Sequence, residues 1–331
     1  MFSNGVLSDV DGTVERPAPG MFFGPVFPTL VYAVMKLDPH FAESVRCSLS
    51  ADSGLRQGVA CKPDEAPIRV INALLLAIGV VAIASTAELM FRQRWMFMLS
   101  GLFALAALAC EAEIFSYIMT EATIFSIYSM FSYGIVLAWK SGRTRYFIVS
   151  GGLLGLLCLT KPSFLIAFPL VATLSTLYIL KYREQRPHLI KLVLAFGLAF
   201  ACLTGGWMAR NLVAVGKFGF TQEYGAAALI ERFAYDDMSP REFFQAFAYC
   251  TPGLGELAFD HVNGADSMHR FKYFTKGSFF NVGRDRRDAL VEKYGRLDPL
   301  IAGIALQELR TGWWRYLLTS IPLTWCGMWA G

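Results

Sequence analysis

Six apolar runs, near residues 68–90, 96–112, 122–139, 146–160, 163–180 and 190–209, follow one another with only short connectors between them. A helix rising about 1.5 Å per residue needs roughly 20 apolar residues to cross a hydrocarbon core of about 30 Å. Inside lipid every backbone N–H and C=O must be satisfied within the protein, which leaves helices as the fold for such runs. The chain therefore reads as an all-α polytopic membrane protein, and a seventh run beginning near residue 316 reads as the start of a further span. Composition agrees: 55% of the residues are hydrophobic and 17% charged, and the mean hydropathy is +0.43, values that ordinary soluble domains do not combine. The formal charge of +4 is small and the basic residues sit in connectors, so no nucleic-acid partner is indicated. The first twenty residues lack the basic and apolar segments of a signal peptide, so insertion is expected to rest on the spans or on sequence upstream.

Charge sets the orientation. Arg92 and Arg94, then Lys140, Arg143 and Arg145, then Lys181, Arg183, Arg186 and Lys191 fill alternate connectors, and the positive-inside rule places these in the cytoplasm. Residues 1–67 are then external. The apolar stretch 22–36 contains Pro25 and Pro28, and its roughly 15 residues would rise only about 22 Å, so a re-entrant or surface-lying helix is expected. Residues 68–209 form the membrane domain. Residues 210–315 have mixed charge and turn signals such as Thr251-Pro252-Gly253 and Asn263-Gly264, and read as an extracytoplasmic mixed helical lobe.

The strongly polar marks, Arg16, Glu121, Lys161 and Arg210, collect at the external ends of the runs. An ionisable group at mid-depth costs roughly 2.5 kcal/mol or more, so such residues are functional candidates. Each also has a plain structural reading: Lys161 as a lysine snorkelling to headgroups, Glu121 as a first-turn carboxylate facing a helix dipole, and Arg210 with Asn211 as a helix end cap. Gly151 and Gly155 allow another helix to pack closely. Cys47 and Cys61 share one external connector, where a disulfide is an option. No CxxC, HExxH or histidine pair suggests a zinc site built by the protein.

Four segments carry a resemblance: Asp9-Val10-Asp11-Gly12 through Arg16-Pro17-Ala18-Pro19-Gly20 with Pro25-Val26-Phe27-Pro28; Thr120-Glu121; Gly151-Gly152 through Leu159-Thr160-Lys161-Pro162; and Gly206-Trp207-Met208-Ala209-Arg210-Asn211 with Gly216. In this order and at one membrane face, they resemble the motifs of the C-type (GT-C) integral-membrane glycosyltransferases. That family includes bacterial aminoarabinose transferases and protein O-mannosyltransferases. The resemblance covers about residues 9–225. It implies a GT-C-like helical bundle in the plasma (inner) membrane, with its active face outside the cytoplasm. It also implies inverting transfer of a sugar from a polyprenyl-phosphate donor to a lipid, glycan or protein acceptor.

On that reading Arg16, Lys161 and Arg210 bind the donor phosphate, and Glu121 pairs with Lys161 or contacts the acceptor or a divalent cation. Such a family places its catalytic Asp in an external loop after an initial span, ahead of the proline motif. This chain departs from that pattern, so the base is expected upstream of Met1, with Asp9 and Asp11 as stand-ins within the sequence. Two other readings stay open: a transporter or lipid flippase, which would place its polar residues near mid-depth in symmetry-related halves, and a non-catalytic membrane partner on the same scaffold.

Overall fold

The computed structural model describes residues 24–49, 65–110, 120–220, 226–249, 251, 269–271, 275–294 and 299–329. Asp9, Asp11, Arg16 and Cys61 lie outside these residues. The described residues are helical and contain no strand. They divide at Thr221 and Gln222 into two compact units.

The first unit opens with α1 (Val26–Leu37) and α2 (Pro39–Leu49). Pro25 occupies the N-cap of α1 and Pro28 its first turn, where a missing N–H costs nothing because those groups have no partner within the helix. At twelve residues, α1 spans about 18 Å, in keeping with a segment too short to cross. Asp38 ends it and starts the next helix by accepting bonds from the His40 and Phe41 N–H groups. Val31 and Val34 of α1 and Phe41 and Val45 of α2 bury themselves with Ile68, at the start of α3 (Ala66–Phe91).

There follow α4 (Arg94–Cys110), α5 (Glu121–Ser141), α6 (Thr144–Thr160), a 3₁₀ turn over Pro162–Ile166, α7 (Ala167–Lys181) and α8 (Arg186–Val215). Among the described residues four helical stretches are long and apolar enough to cross a membrane: Ala66–Phe91, Glu121–Ser141, Pro162–Lys181 and Arg186–Val215. Their outward faces present Leu74, Tyr128, Leu174 and Leu194, and α4 adds Leu102 and Phe103, an extent of bare apolar surface that suits lipid and not water. The protein is a membrane-embedded all-α protein. α4 and α6 are apolar but shorter, and α8 runs past the expected end at residue 209 to Val215.

Close approaches between helices fix the register of the bundle. A Cβ added at Gly79 would lie 2.5 Å from the Phe125 ring and 3.4 Å from Ser126 Cα, while the Lys140 ammonium donates to the Leu89 carbonyl. Those two points make α3 and α5 parallel neighbours. A Cβ at Gly134 would lie 2.9 Å from Ser150 Oγ, setting α6 beside α5. A Cβ at Gly151 would lie 2.2 Å from the Phe196 carbonyl oxygen, and one at Gly155 3.3 Å from Leu203 Cβ, so α6 and α8 run parallel with their backbones nearly touching. The core here gathers Ile127 and Phe131 of α5, Leu154 and Leu157 of α6, and Leu192, Phe196 and Phe200 of α8.

The second unit holds α9 (Ala226–Phe233), α10 (Pro240–Tyr249), α11 (Phe279–Tyr294) and α12 (Pro299–Trp329). Its core is Ile230, Phe233, Ile301 and Ala305. Arg232 ties α9 to α12: its guanidinium donates to Asp236 at 3.0 Å, Thr319 Oγ at 2.8 Å, Ser320 Oγ at 3.0 Å and the Tyr316 carbonyl at 3.2 Å. α12 begins at Pro299, well before the span start expected at 316, with one residue, Gly312, off helical geometry. It is not among the four long apolar stretches found in the described residues.

Ser239-Pro240-Arg241-Glu242 starts α10 as a capping box: the Glu242 carboxylate accepts from the Ser239 N–H and hydroxyl at 2.8 Å, with proline at the first helical position. Arg270 donates to the same carboxylate at 2.8 Å. Burial would raise the Glu242 carboxyl, but the Ser239 N–H and hydroxyl together with Arg270 hold it below its ordinary value. A carboxyl lowered in the fold stabilises it above the unfolded pKa, and that contribution is lost as pH falls through the folded value. Melting temperature is therefore expected to drop more steeply between about pH 5 and pH 3 in the native protein than in Glu242→Gln, which has no such carboxyl to titrate. Parallel pH profiles for the two proteins would show that the box contributes nothing to stability.

Candidate functional site

Lys161 ends α6 because it precedes Pro162, and the proline ring pushes the residue before it out of helical geometry. Its backbone is extended, at φ −142° and ψ 108°, with its N–H still bonded to the Leu157 carbonyl. A Cβ at Gly24 would fall 2.0 Å from the Leu159 carbonyl oxygen and 3.2 Å from that of Thr160. The segment leading into α1 therefore lies directly on the helix end that carries Lys161, and only a residue with no side chain fits there. The proline-rich motif with Arg16 lies eight positions before Gly24.

Glu121 is the first residue of α5, where a carboxylate faces the positive end of the helix dipole. Counting from the contact of Gly134 with Ser150, Glu121 lies thirteen residues back along α5 and Lys161 eleven residues on along α6. The two are thus within about 3 Å of the same level. Counting from Gly151 and Phe196, Trp207 lies at the Lys161 level and Arg210 about one helical turn beyond it. Three chain segments distant in sequence bring Glu121, Lys161 and Arg210 to one end of the bundle.

The expected Glu121–Lys161 ion pair is not formed: among the described residues the ion pairs lie elsewhere. Instead one Glu121 carboxylate oxygen is buried and accepts no hydrogen bond. Beside it, Thr123 and Ser126 are 4% and 0% exposed, and neither hydroxyl has a hydrogen-bond partner. Ser129 and Ser132, further down the same helix, donate to the carbonyls of Phe125 and Tyr128. The buried polar atoms of α5 that lack a partner are thus confined to the half of the helix that begins at Glu121, where each is costly to bury unsatisfied. Asn72 of α3, 2% exposed, sits at the Glu121 level by the Gly79–Ser126 register. The sequence did mark Asn72, as the lone amide inside the apolar run 68–90. Such a residue is hard to single out from sequence, because one polar residue barely alters the mean of a long window.

Arg210 and Asn211 are built into a tight return of the chain. Gly216 takes the left-handed conformation at φ 75° that ends α8, and the chain doubles back so that the Asn211 amide donates to the Gly219 carbonyl at 2.8 Å. The Trp207 indole N–H donates to the Phe220 carbonyl at 2.7 Å. The Arg210 guanidinium lies 4.9 Å from the Trp207 ring centroid and donates to Asn211 Oδ1 at 2.9 Å. Asn211 lies inside α8, which runs on to Val215, and its side chain ties down the returning segment rather than capping the helix, while Arg210 is held across the tryptophan face.

Such an end, with an amine, a guanidinium stacked on Trp207 about one turn further on and a carboxylate with one bare buried oxygen, suits an anion that brings its own hydroxyls. Among the described residues no three His, Cys, Asp or Glu side chains come together to hold a metal ion, so Glu121 would meet a divalent cation as a lone carboxylate. No protein-family model, no curated protein and no solved structure matches this chain.

Proposed function

We propose that this protein is a membrane glycosyltransferase. It takes a sugar from a polyprenyl-phosphate donor and transfers it to a lipid, glycan or protein acceptor at the bilayer face bearing Glu121, Lys161 and Arg210. The observation that carries this reading is the meeting of these three residues at one end of the bundle, from three separate helices. A phosphate entering from the lipid at that level gains charge-assisted bonds in surroundings of low dielectric. Lys161 and Arg210 take the phosphate. The free oxygen of Glu121 accepts from an acceptor hydroxyl or turns Lys161 toward the donor. In this reading the helices form a GT-C-like bundle of six spans, the end with Lys161 faces away from the cytoplasm, and Arg16 adds to the phosphate site. Asp9 or Asp11 is the base.

The full chain in vesicles is expected to bind undecaprenyl phosphate saturably and undecaprenol weakly, and to transfer labelled sugar from a polyprenyl-phosphate donor. Equal binding of the phosphate and the alcohol would overturn the reading. The orientation has its own check. Single cysteines in 37–67 and 225–310 are expected to react with an impermeant reagent from outside, and cysteines at Ser141 or Gln185 only after the membrane is opened. The reverse pattern would put the site on the cytoplasmic face and exclude an external acceptor.

A further inference from the structure

At the opposite end of the first unit a crevice opens between α7 and the layer made by α5, α6 and α8. It has about 380 Å³ of empty space, counting its open mouth, and its walls include Trp139, Phe147, Ala172, Ser175, Val193 and Gly197. α7 meets its neighbours above and below this gap. Phe168 stacks on Phe200 at 4.4 Å between centroids, and Trp139 meets Tyr178 edge-on at 4.7 Å. Between these contacts a single α7 residue, Ser175, is buried. Three of the helical stretches long and apolar enough to cross a membrane, Glu121–Ser141, Pro162–Lys181 and Arg186–Val215, line the crevice, so lipid chains are what its mouth meets.

Its rim is basic. On α8, Arg186, Ile190, Val193 and Gly197 are spaced four, three and four residues apart, which puts them on one face. Arg186 therefore ends the stripe that lines the crevice, and its Nε donates to the Ile179 carbonyl at the close of α7. Arg143 stands four residues from both Trp139 and Phe147, in the turn between α5 and α6 where Gly142 is left-handed and Arg143 itself is extended. The turn that holds it is set against α8, since a Cβ at Gly142 would lie 3.8 Å from His188 Nε2. An apolar slot with exposed Arg143 and half-buried Arg186 at its mouth complements a molecule with a hydrocarbon chain and an anionic head.

We propose that this crevice holds one acyl chain of an anionic bilayer phospholipid, with its phosphate between Arg143 and Arg186. Basic pockets between spanning helices recognise anionic headgroups through the same pairing. The site is separate from the transfer end and does not depend on the glycosyltransferase reading.

Gly197 gives a clean test, because a Cβ there meets nothing within 4 Å, so leucine fills the crevice without displacing backbone. Gly205, further along α8, is equally open and serves as the control. Native mass spectrometry of the purified full chain with added dioleoyl phosphatidylglycerol or phosphatidylcholine is expected to show about tenfold preference for the anionic lipid. Gly197→Leu loses the bound lipid and Gly205→Leu keeps it. Arg143→Gln with Arg186→Gln erases the preference while lipid still binds. Equal retention of both lipids by the native protein, or retention of phosphatidylglycerol by Gly197→Leu, overturns the proposal. Displacement of phosphatidylglycerol by undecaprenyl phosphate, mole for mole, also overturns it and assigns the crevice to the tail of a lipid-linked donor.

Discussion

Gly151→Ala is expected to destabilise the first unit by about 3 kcal/mol, while Gly152→Ala, one position along, leaves stability unchanged or raises it by up to about 1 kcal/mol. The added methyl at 151 would sit 2.2 Å from a backbone oxygen of α8, whereas at 152 it would meet the end of Leu203 at 3.8 Å. A flexible side chain can step aside and a packed helix backbone cannot, so the first change forces α6 and α8 apart over the stretch where they pack Leu154, Leu157, Phe196 and Phe200 together. Alanine is otherwise the better helix former by roughly 0.5–1 kcal/mol, which makes a loss at 151 the more telling. Thermal melting of the two purified variants beside the native protein decides it. Equal melting temperatures would mean that the two helices are not held at this distance.

Lys161→Ala is expected to leave insertion and folding intact and to weaken use of a polyprenyl-phosphate donor by about 2 to 5 kcal/mol if the amine meets the phosphate out of water. A hydrated pair would lose under about 1 kcal/mol. Arg16→Ala is expected to act in the same direction, and charge reversal at Lys161 to be worse. Glu121→Gln tests the coupling. If the carboxylate orients the lysine, Glu121→Gln and Lys161→Met together cost less than the sum of the two alone, as for residues that act as one unit. Because Glu121 and Lys161 share a level without an ion pair, the coupling is expected to show only when donor is present. Donor dependence unchanged in every variant would reduce the polar end to a membrane anchor and remove the chemical support for glycosyl transfer.

The apolar runs placed most of the apolar helices within a few residues, since a helix in lipid is dictated by composition over a long window. The expected run 68–90 became 66–91, and 146–160 became 144–160. The pair Gly151 and Gly155 announced a close neighbour, but spacing on one helix names a face and not its partner, so α8 emerged only from the folded chain. Beyond α8 the hydrophobic pattern weakens and local chemistry takes over. Ser239-Pro240-Arg241-Glu242 is a complete helix-start signal and was legible there, yet residues 210–315 were read only as a mixed lobe. α12 was expected from its apolar end alone, because its first half, with Gln307, Glu308 and Arg310, does not look like a span. The site was legible as a set of polar marks at one face. The bare oxygens of Glu121, Thr123 and Ser126 were not, because whether a hydroxyl bonds its own helix depends on a neighbour that sequence periodicity does not identify.

The parallel pairing of α6 with α8 has a consequence for biosynthesis. Two parallel helices in one membrane need a third that carries the chain back, and here α7 makes that return. As the ribosome delivers the chain, the Gly151 face of α6 must wait, covered only by lipid, until α7 has reversed direction and α8 has followed it in. α7 itself enters with one buried residue to hold it, so hydrophobic partition rather than docking keeps it in place during that interval. One of the tightest backbone approaches in the unit is therefore among the last made. A chain halted after α7 would be fully inserted yet unlocked, with the groove along α6 open to the membrane chaperones and proteases that survey unassembled helices.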